Sequence, residues 1–369
     1  MAATGFFFAF FAGLLAMICG LFFLEPLARF LGSTETILPY TKAYLRFILF
    51  GAPFMMSSLV LNNQLRFQGS AAYAMIGIVT GAVVNIALDP LLIFVFNMGV
   101  AGASLATVIS QVVSFGILLY MGRKGGNIRL KFSNFTPSFY YFKEICRGGF
   151  PSLCRQGLGS LAQISLNRVA GKYGILYGGQ EYADAAIAAM SVVNRVSMFA
   201  NSALIGFGQG FQPVCGMNYG AKKTERVREG FFFCVKYATL FLVGISLLGM
   251  IFASPVVAMF RDDPKVIEIG RLALFLHCLA FPLNGWIVMS NMLLQALGKG
   301  VRASVSASAR QGLFFLPIIW TIPIFFGLLG VQMAQPLADV CSFIFTFFMV
   351  GSVLKELKQP VVIEENAAT

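Results

Sequence analysis

Long apolar stretches broken by short polar connections dominate the chain. Positions 1–24, 47–65, 196–221, 237–260 and 272–298 carry no charged residue. Residues 67–122 hold one charge, Asp89, and residues 311–354 hold one, Asp339. A membrane-spanning helix needs about 20 mainly apolar residues. Each of these last two stretches is therefore long enough for two helices, with turns at Asn97-Met98-Gly99 and near Gly327 to Gly330. Residues 148–171 form a more polar span, interrupted by Arg155 and Arg168. The pattern predicts ten helices, over 5–24, 45–65, 72–96, 100–121, 148–171, 185–207, 231–253, 272–296, 305–327 and 330–353. Residues 1–24 lack a basic leading segment and nine further spans follow, so they read as a helix and not as a signal peptide. The predicted fold class is an all-α polytopic membrane protein.

Composition strengthens this reading. Hydrophobic residues make up 58% of the 369 and charged residues 11%, too few to cover a water-soluble surface. The net charge of +12 would suit a nucleic-acid partner if the cations formed one face. They sit instead in the connections, as the positive-inside rule requires of a membrane protein. With Arg46 and Arg310, near the starts of their spans, counted in the connections, sixteen Lys and Arg fall in the connections and tail on one side, seven on the other and four inside spans. The richer side is the expected cytoplasmic side, with both termini on it. The longest polar connection divides the chain into an N-terminal bundle of four helices (1–122), a cytoplasmic linker (123–147), a C-terminal bundle of six helices (148–354) and a cytoplasmic tail (355–369). Residues Pro137 to Ile145 of the linker are expected to lie on the membrane surface as a short amphipathic helix. Seven dispersed cysteines form no CxxC pair, and His277 is the one histidine. That excludes a zinc site or a His-based catalytic triad, and an enzyme is not expected.

The chain repeats itself. Shifted by 229 positions, 25–69 overlays 254–298 without a gap: Pro26 meets Pro255, Pro53 meets Pro282, Asn62 meets Asn291 and Gly69 meets Gly298. At an offset of 228, Gly102 meets Gly330, Ala106 meets Ala334 and Ser114 meets Ser342. Repeated halves are a common transporter plan. The overlay sets Met1 opposite Gly230, so residues 148–229, two spans long, have no partner in the first half. By its own symmetry the chain is expected to lack about two N-terminal helices.

A carboxylate inside a span is costly and marks function. Asp89 stands alone among uncharged neighbours, with Asn85 one turn before it on the same face. Pro90 has no N–H, which frees the carbonyl of Ile86. Thr107, on the next helix coming back, reaches a similar depth of roughly 10 Å at 1.5 Å per residue. Together these oxygens suit a sodium ion, or the carboxylate carries a proton. A polar cluster that merely locks the helices is the plainer alternative. Asp339 is either a second proton site or a hydrogen-bonded interior residue. Asn62, Asn63, Met55, Asn194 and Gln209 are candidates for a substrate cavity, with Met56, Met190 and Met198 beside them. Thioethers and aromatic faces accept ligands of varied shape, organic cations included. Gly206, Gly208, Gly210 and Pro213 interrupt the end of a span, as a hinge or as a close-packing surface.

The blocks LNNQLRFQG (61–69), GASLATVIS (102–110) and GFGQGFQPVCGMNYGA (206–221), with Asn85 and Asp89-Pro90, resemble the multidrug and toxic compound extrusion (MATE) transporters, in their bacterial multidrug-exporter branch. The resemblance covers essentially the whole chain. It implies twelve helices in two bundles around a central cavity, the first two of them not matched here. It also implies export of amphipathic, often cationic, drugs by antiport with Na+ or H+, from the bacterial inner membrane. The family's N-lobe cation site would fall on Asn85, Asp89 and Thr107. Arg195, after Asn194, would take a structural role inside the C-terminal bundle. The expected partners are small-molecule drugs or organic cations and the lipid bilayer, without nucleic acid or an obligate protein partner. No cofactor is expected besides the coupling ion. Rival readings are a lipid-linked oligosaccharide flippase of related architecture and a truncated, inactive transporter fragment.

Overall fold

A computed structural model describes residues 2–30, 38–125, 134, 135 and 138–357. The chain divides into two units, Met1–Ile145 and Cys146–Thr369. The first holds α1 (Ala2–Phe22), α2 (Leu24–Phe30), α3 (Leu38–Phe67), α4 (Ala71–Pro90) with a π-helical run at Leu91–Val95, and α5 (Gly99–Gly125). α6 (Phe139–Gly178) begins in the first unit and runs on into the second. The second unit continues with α7 (Gln180–Gly220), α8 (Thr224–Ile251), α9 (Ala253–Phe260), α10 (Pro264–Ala296), α11 (Gly300–Ser308), a π-helical run at Ala309–Phe314, and α12 (Phe315–Glu356). α12 is two helices joined at Gly327, where φ is +58°. A Cβ on Gly330 would lie 2.7 Å from Pro323 Cα. Seven residues of continuous helix would hold these about 10 Å apart, so the chain folds back there.

Among the described residues seven helical segments are long and apolar enough to cross a membrane, and one of them, Gly300–Glu356, contains the fold-back. α6 and α7 have the length but are more polar, for a reason given below. The expected surface helix is not a separate element: Phe139 to Ile145 form the first turns of α6, continuous with the span, and Pro137 lies outside the described residues.

The repeat is written into the element boundaries. α1 and α8 end at Phe22 and Ile251, α2 and α9 start at Leu24 and Ala253, and α4 and α11 start at Ala71 and Gly300, each pair 229 apart. The corner between the third and fourth helix of each half is built identically. Asn62 Nδ2 donates to the Ala74 carbonyl at 2.9 Å, and Asn291 Nδ2 donates to the Ala303 carbonyl at 2.8 Å. Gly69 and Gly298 both take positive φ, +83° and +70°, to close the turn.

Within each unit helices meet through small residues, as they do in lipid, where apolar side chains gain little from mutual burial. A Cβ on Gly13 would sit 2.6 Å from Pro53 Cα, and one on Gly285 would sit 2.6 Å from Thr239 Oγ1. Leu61, Leu65 and Leu118 fill the core of the first unit. Leu274, Phe315 and Ile319 fill one core of the second, and Phe231, Leu242 and Leu293 fill another.

Candidate functional sites

In the first unit α4 lies flush against α5. A Cβ on Gly77 would strike Leu118, and one on Gly81 would come within 2.8 Å of Ser114 Cβ and 3.2 Å of the Ser110 carbonyl. Ser114 Oγ donates to the Gly77 carbonyl at 2.9 Å. Asn85 and Asp89 follow at four-residue intervals on the same slowly turning stripe. Further along, a Cβ on Gly102 would meet the Leu92 carbonyl at 2.8 Å. Asp89 thus lies at a level of α5 between Gly102 and Ser110, the stretch that contains Thr107.

Asp89 is half-buried, and Asn85 Nδ2 donates to its Oδ1 across 3.4 Å. No other hydrogen bond and no ion pair reaches the carboxylate from the described residues. Thr107 does not bond to Asp89; its hydroxyl donates back to the Ala103 carbonyl at 3.0 Å. That leaves the threonine lone pairs, the Asn85 carbonyl oxygen and most of the carboxylate as unspent acceptors. The donor set is all oxygen, the chemistry hard cations prefer. Among the described residues no group of three or more His, Cys, Asp or Glu could hold a metal ion. Directly after Asp89, Pro90 interrupts the hydrogen-bond ladder and the helix widens into its π-helical run. Such irregularities recur at functional sites.

The second unit places its buried acid differently. Asp339 is 2% exposed. Arg310 Nε donates to its Oδ1 at 2.7 Å and Nη2 to its Oδ2 at 3.3 Å. Gln335 Nε2 adds a bond at 2.9 Å to Oδ1, and Asn284 Nδ2 one at 3.1 Å to Oδ2. Four donors fill the roughly four acceptor positions of a carboxylate. The loop count had placed Arg310 in a cytoplasmic connection. It belongs to the π-helical run, about ten residues into the helical stretch that starts at Gly300.

Beside this pair a cavity of about 670 Å³ opens within the second unit. α6 lines it with Gln156, Ser160 and Gln163, and α7 with Asn194, Ser197 and Asn201. These are polar stripes at helical spacing, and they explain why both helices are less apolar than the rest. Such stripes are the sequence signal that would have located the cavity, and of their members only Asn194 was singled out. Asn194 Nδ2 donates to Gln163 Oε1 at 2.6 Å, and Gln163 Nε2 to Asn167 Oδ1 at 2.9 Å. His277 also faces this space, with its Nδ1 3.0 Å from the Ala273 carbonyl.

The other cavity candidates scatter. Asn62 is buried and its amide donates to the helix corner, where it braces the fold. Met190 is core, 1% exposed. Asn63, Met55 and Met56 are exposed, and Gln209 is half-buried. Met198 borders the cavity. Arg195, expected to be structural inside the bundle, is exposed and makes no ion pair among the described residues. α7 runs unbroken through Gly206, Gly208, Gly210 and Pro213. A Cβ on Gly208 would press on Met289 and Met292 at 3.0 Å, which is close packing, whereas Gly206 and Gly210 face open space.

Comparison with known proteins agrees with this architecture. The MatE family profile matches residues 1–91 and 177–321. The multidrug export protein MepA of Staphylococcus haemolyticus (strain JCSC1435) is 27% identical over 339 residues, covering 91% of this chain and 73% of that protein. MepA of Staphylococcus aureus (strain NCTC 8325 / PS 47) is 27% identical over 337 residues, covering 89% and 70%. A crystal structure of MATE in complex with MaL6 superposes with a TM-score of 0.87 at 25% identity, covering 97% of this chain and 79% of that one. An outward-facing multidrug resistance MATE family transporter of the MOP superfamily, at 24% identity and a TM-score of 0.88, shares the fold over 97% of this chain and 79% of its own. By its profile match, its helix plan and its repeat, the chain belongs to the MatE family.

Proposed function

We propose that this multi-pass membrane protein, a multidrug efflux transporter, is a secondary antiporter that exchanges amphipathic or cationic small molecules for Na+ or H+ at Asp89. The observation that carries the coupling step is the unsatisfied state of this carboxylate. It is half-buried in an apolar helix, it holds one long hydrogen bond from Asn85, and no described basic group neutralises it. A cation arriving there removes the cost of the buried charge. It thereby shifts the balance between conformations open to opposite sides. Asn85, through its free amide oxygen, and Thr107, through its hydroxyl lone pairs, complete the oxygen set for sodium. A proton needs the carboxylate alone.

The protein is assigned to the bacterial inner membrane with both termini cytoplasmic. Without Arg310 the connections still carry fifteen cations on the cytoplasmic side against seven on the other. A flippase for pyrophosphate-linked sugars would want a basic cavity. The one described charged residue lining the 670 Å³ cavity is Arg310, and Asp339 cancels it. Replacing Asp89 with Asn in proteoliposomes should cut gradient-driven drug export at least about ten-fold, with insertion and melting temperature retained. Full export by D89N under either gradient would reject the assignment.

A further inference from the structure

The cavity of the second unit holds an unexplained set of polar atoms. Ser197 Oγ on α7, His277 Nε2 on α10 and Ser306 Oγ on α11 are buried without a hydrogen-bond partner. Their residues are 8%, 3% and 2% exposed, and all three line the cavity. Three orphans from three helices converging on one space are costly as they stand, because buried polar groups are nearly always paired. The Ala273 carbonyl accepts only, so Nδ1 of His277 carries the hydrogen. In the neutral ring Nε2 is then a bare acceptor that calls for an O–H or N–H from a guest. The two hydroxyls each donate or accept. Asn201 and Gln311 supply further amides to the wall.

Charge decides what kind of guest fits. No described carboxylate lines the cavity, and its one cation, Arg310, is already neutralised by Asp339. An organic cation finds no counter-charge there, and an anion meets Asp339 behind the guanidinium. At about 670 Å³ the space is of small-molecule size.

We propose that the cavity of the second unit is a binding site for uncharged, hydroxyl-rich small molecules of the glycoside or polyol class, held by Ser197, His277 and Ser306. The site itself stands apart from the antiport reading; its use for export rests on that reading.

The test uses the full chain in lipid nanodiscs with p-nitrophenyl β-D-glucopyranoside as probe and equilibrium dialysis as readout. Saturable binding is expected. Ser197→Ala and Ser306→Ala should each weaken it about five-fold, the effect of one hydrogen bond. Because both hydroxyls are orphans, the same changes should leave the melting temperature unchanged or raise it, which a structural role would not allow. His277→Leu should also weaken binding; if it does not fold, the two serine variants decide. Absence of saturable binding, or an affinity unchanged in both serine variants, overturns the proposal. In proteoliposomes, a failure of D89N to disturb drug export would overturn the coupling assignment while leaving this site standing.

Discussion

Asp89 and Asp339 are carboxylates in otherwise charge-free runs of the two halves, and their surroundings are opposite. Asp339 receives four hydrogen bonds, two of them from Arg310. Asp89 receives one, at 3.4 Å. The repeat makes the contrast exact in position. Arg310 occupies the place of Gly81, which lies flush on α5, and Asp339 occupies the place of Gln111. Pro317 or Ile318, neither of them an acid, stands where Asp89 would be. One helix pair has thus been used twice. In the C-terminal half it is cross-braced by a permanent ion pair and borders a polar cavity. In the N-terminal half a glycine stripe closes the same interface, and the acid stands on the other helix of the pair, two turns past the place of Arg310, where no fixed cation meets it. The bracing continues at the rim. Lys299 and Arg302 both bind Glu356, whereas their counterparts are Ser70 and Tyr73. A charge that is to be neutralised from outside must not be neutralised from within, and of these two acids Asp89 meets that condition.

The comparison is broken most severely at the buried pair. Arg310→Met leaves Asp339 buried without a cation, a change that typically costs about 3–5 kcal/mol. Its melting temperature should fall more than that of any other variant discussed. Arg310→Met with Asp339→Leu should recover most of the loss, since apolar replacement of a whole buried pair is often neutral. A wild-type melt for the single variant would show that the pair does not brace the half, and the contrast with Asp89 would lose its basis.

How much of this was readable in the chain divides along a physical line. Features fixed by local covalent chemistry were legible. Gly69 and Gly298, Pro53 and Pro282, and Asn62 and Asn291 marked the repeat because a tight turn, a break in the hydrogen-bond ladder and a helix corner each demand one residue type. The solitude of Asp89 was equally plain. What depends on depth and rotation was not. Arg310 was counted with the connections because it falls within two turns of the expected start of its span at 305; the helical stretch begins at Gly300, and a shift of a few residues moves a side chain from the rim to the interior. Asn62 was offered to a cavity because sequence shows a polar residue without showing that Ala74 already uses it. The stripes on α6 and α7 lower the hydrophobicity of those spans; in 148–171 the polarity was legible, but its periodicity and the matching stripe on α7 were not.

The shared corner offers a milder test, aimed at what the halves have in common. Asn62→Ala and Asn291→Ala each remove the side-chain hydrogen bond that ties one helix of the corner to the next, at about 0.5–1.5 kcal/mol. Asn291 has a second role, accepting from Gln295 Nε2 at 2.6 Å; the residue equivalent to Gln295 in the first half is Arg66. N291A should therefore melt somewhat below N62A, both below the parent. Equal melts for both variants and the parent would show that the corner is held by Gly69 and Gly298 alone.

The smallest effect is expected at the rim, and it depends on pH. Hydrogen bonds from Lys299 first, and then Arg302, hold the Glu356 carboxyl below its ordinary value near 4.5. A carboxyl lowered by folding adds stability at pH above that ordinary value and loses the contribution as pH falls through its lowered one. Glu356 is half exposed, so solvent screens the pair and the gain should stay below about 1 kcal/mol. At about pH 7 and low salt, Glu356→Gln should melt slightly below the parent, and the gap should close as the pH is taken toward about 3 and as salt is raised. A gap that ignored both would mean that packing, not charge, ties α11 to the end of α12. The rim would then no longer belong to the ionic bracing that sets the C-terminal half apart from the half that carries Asp89.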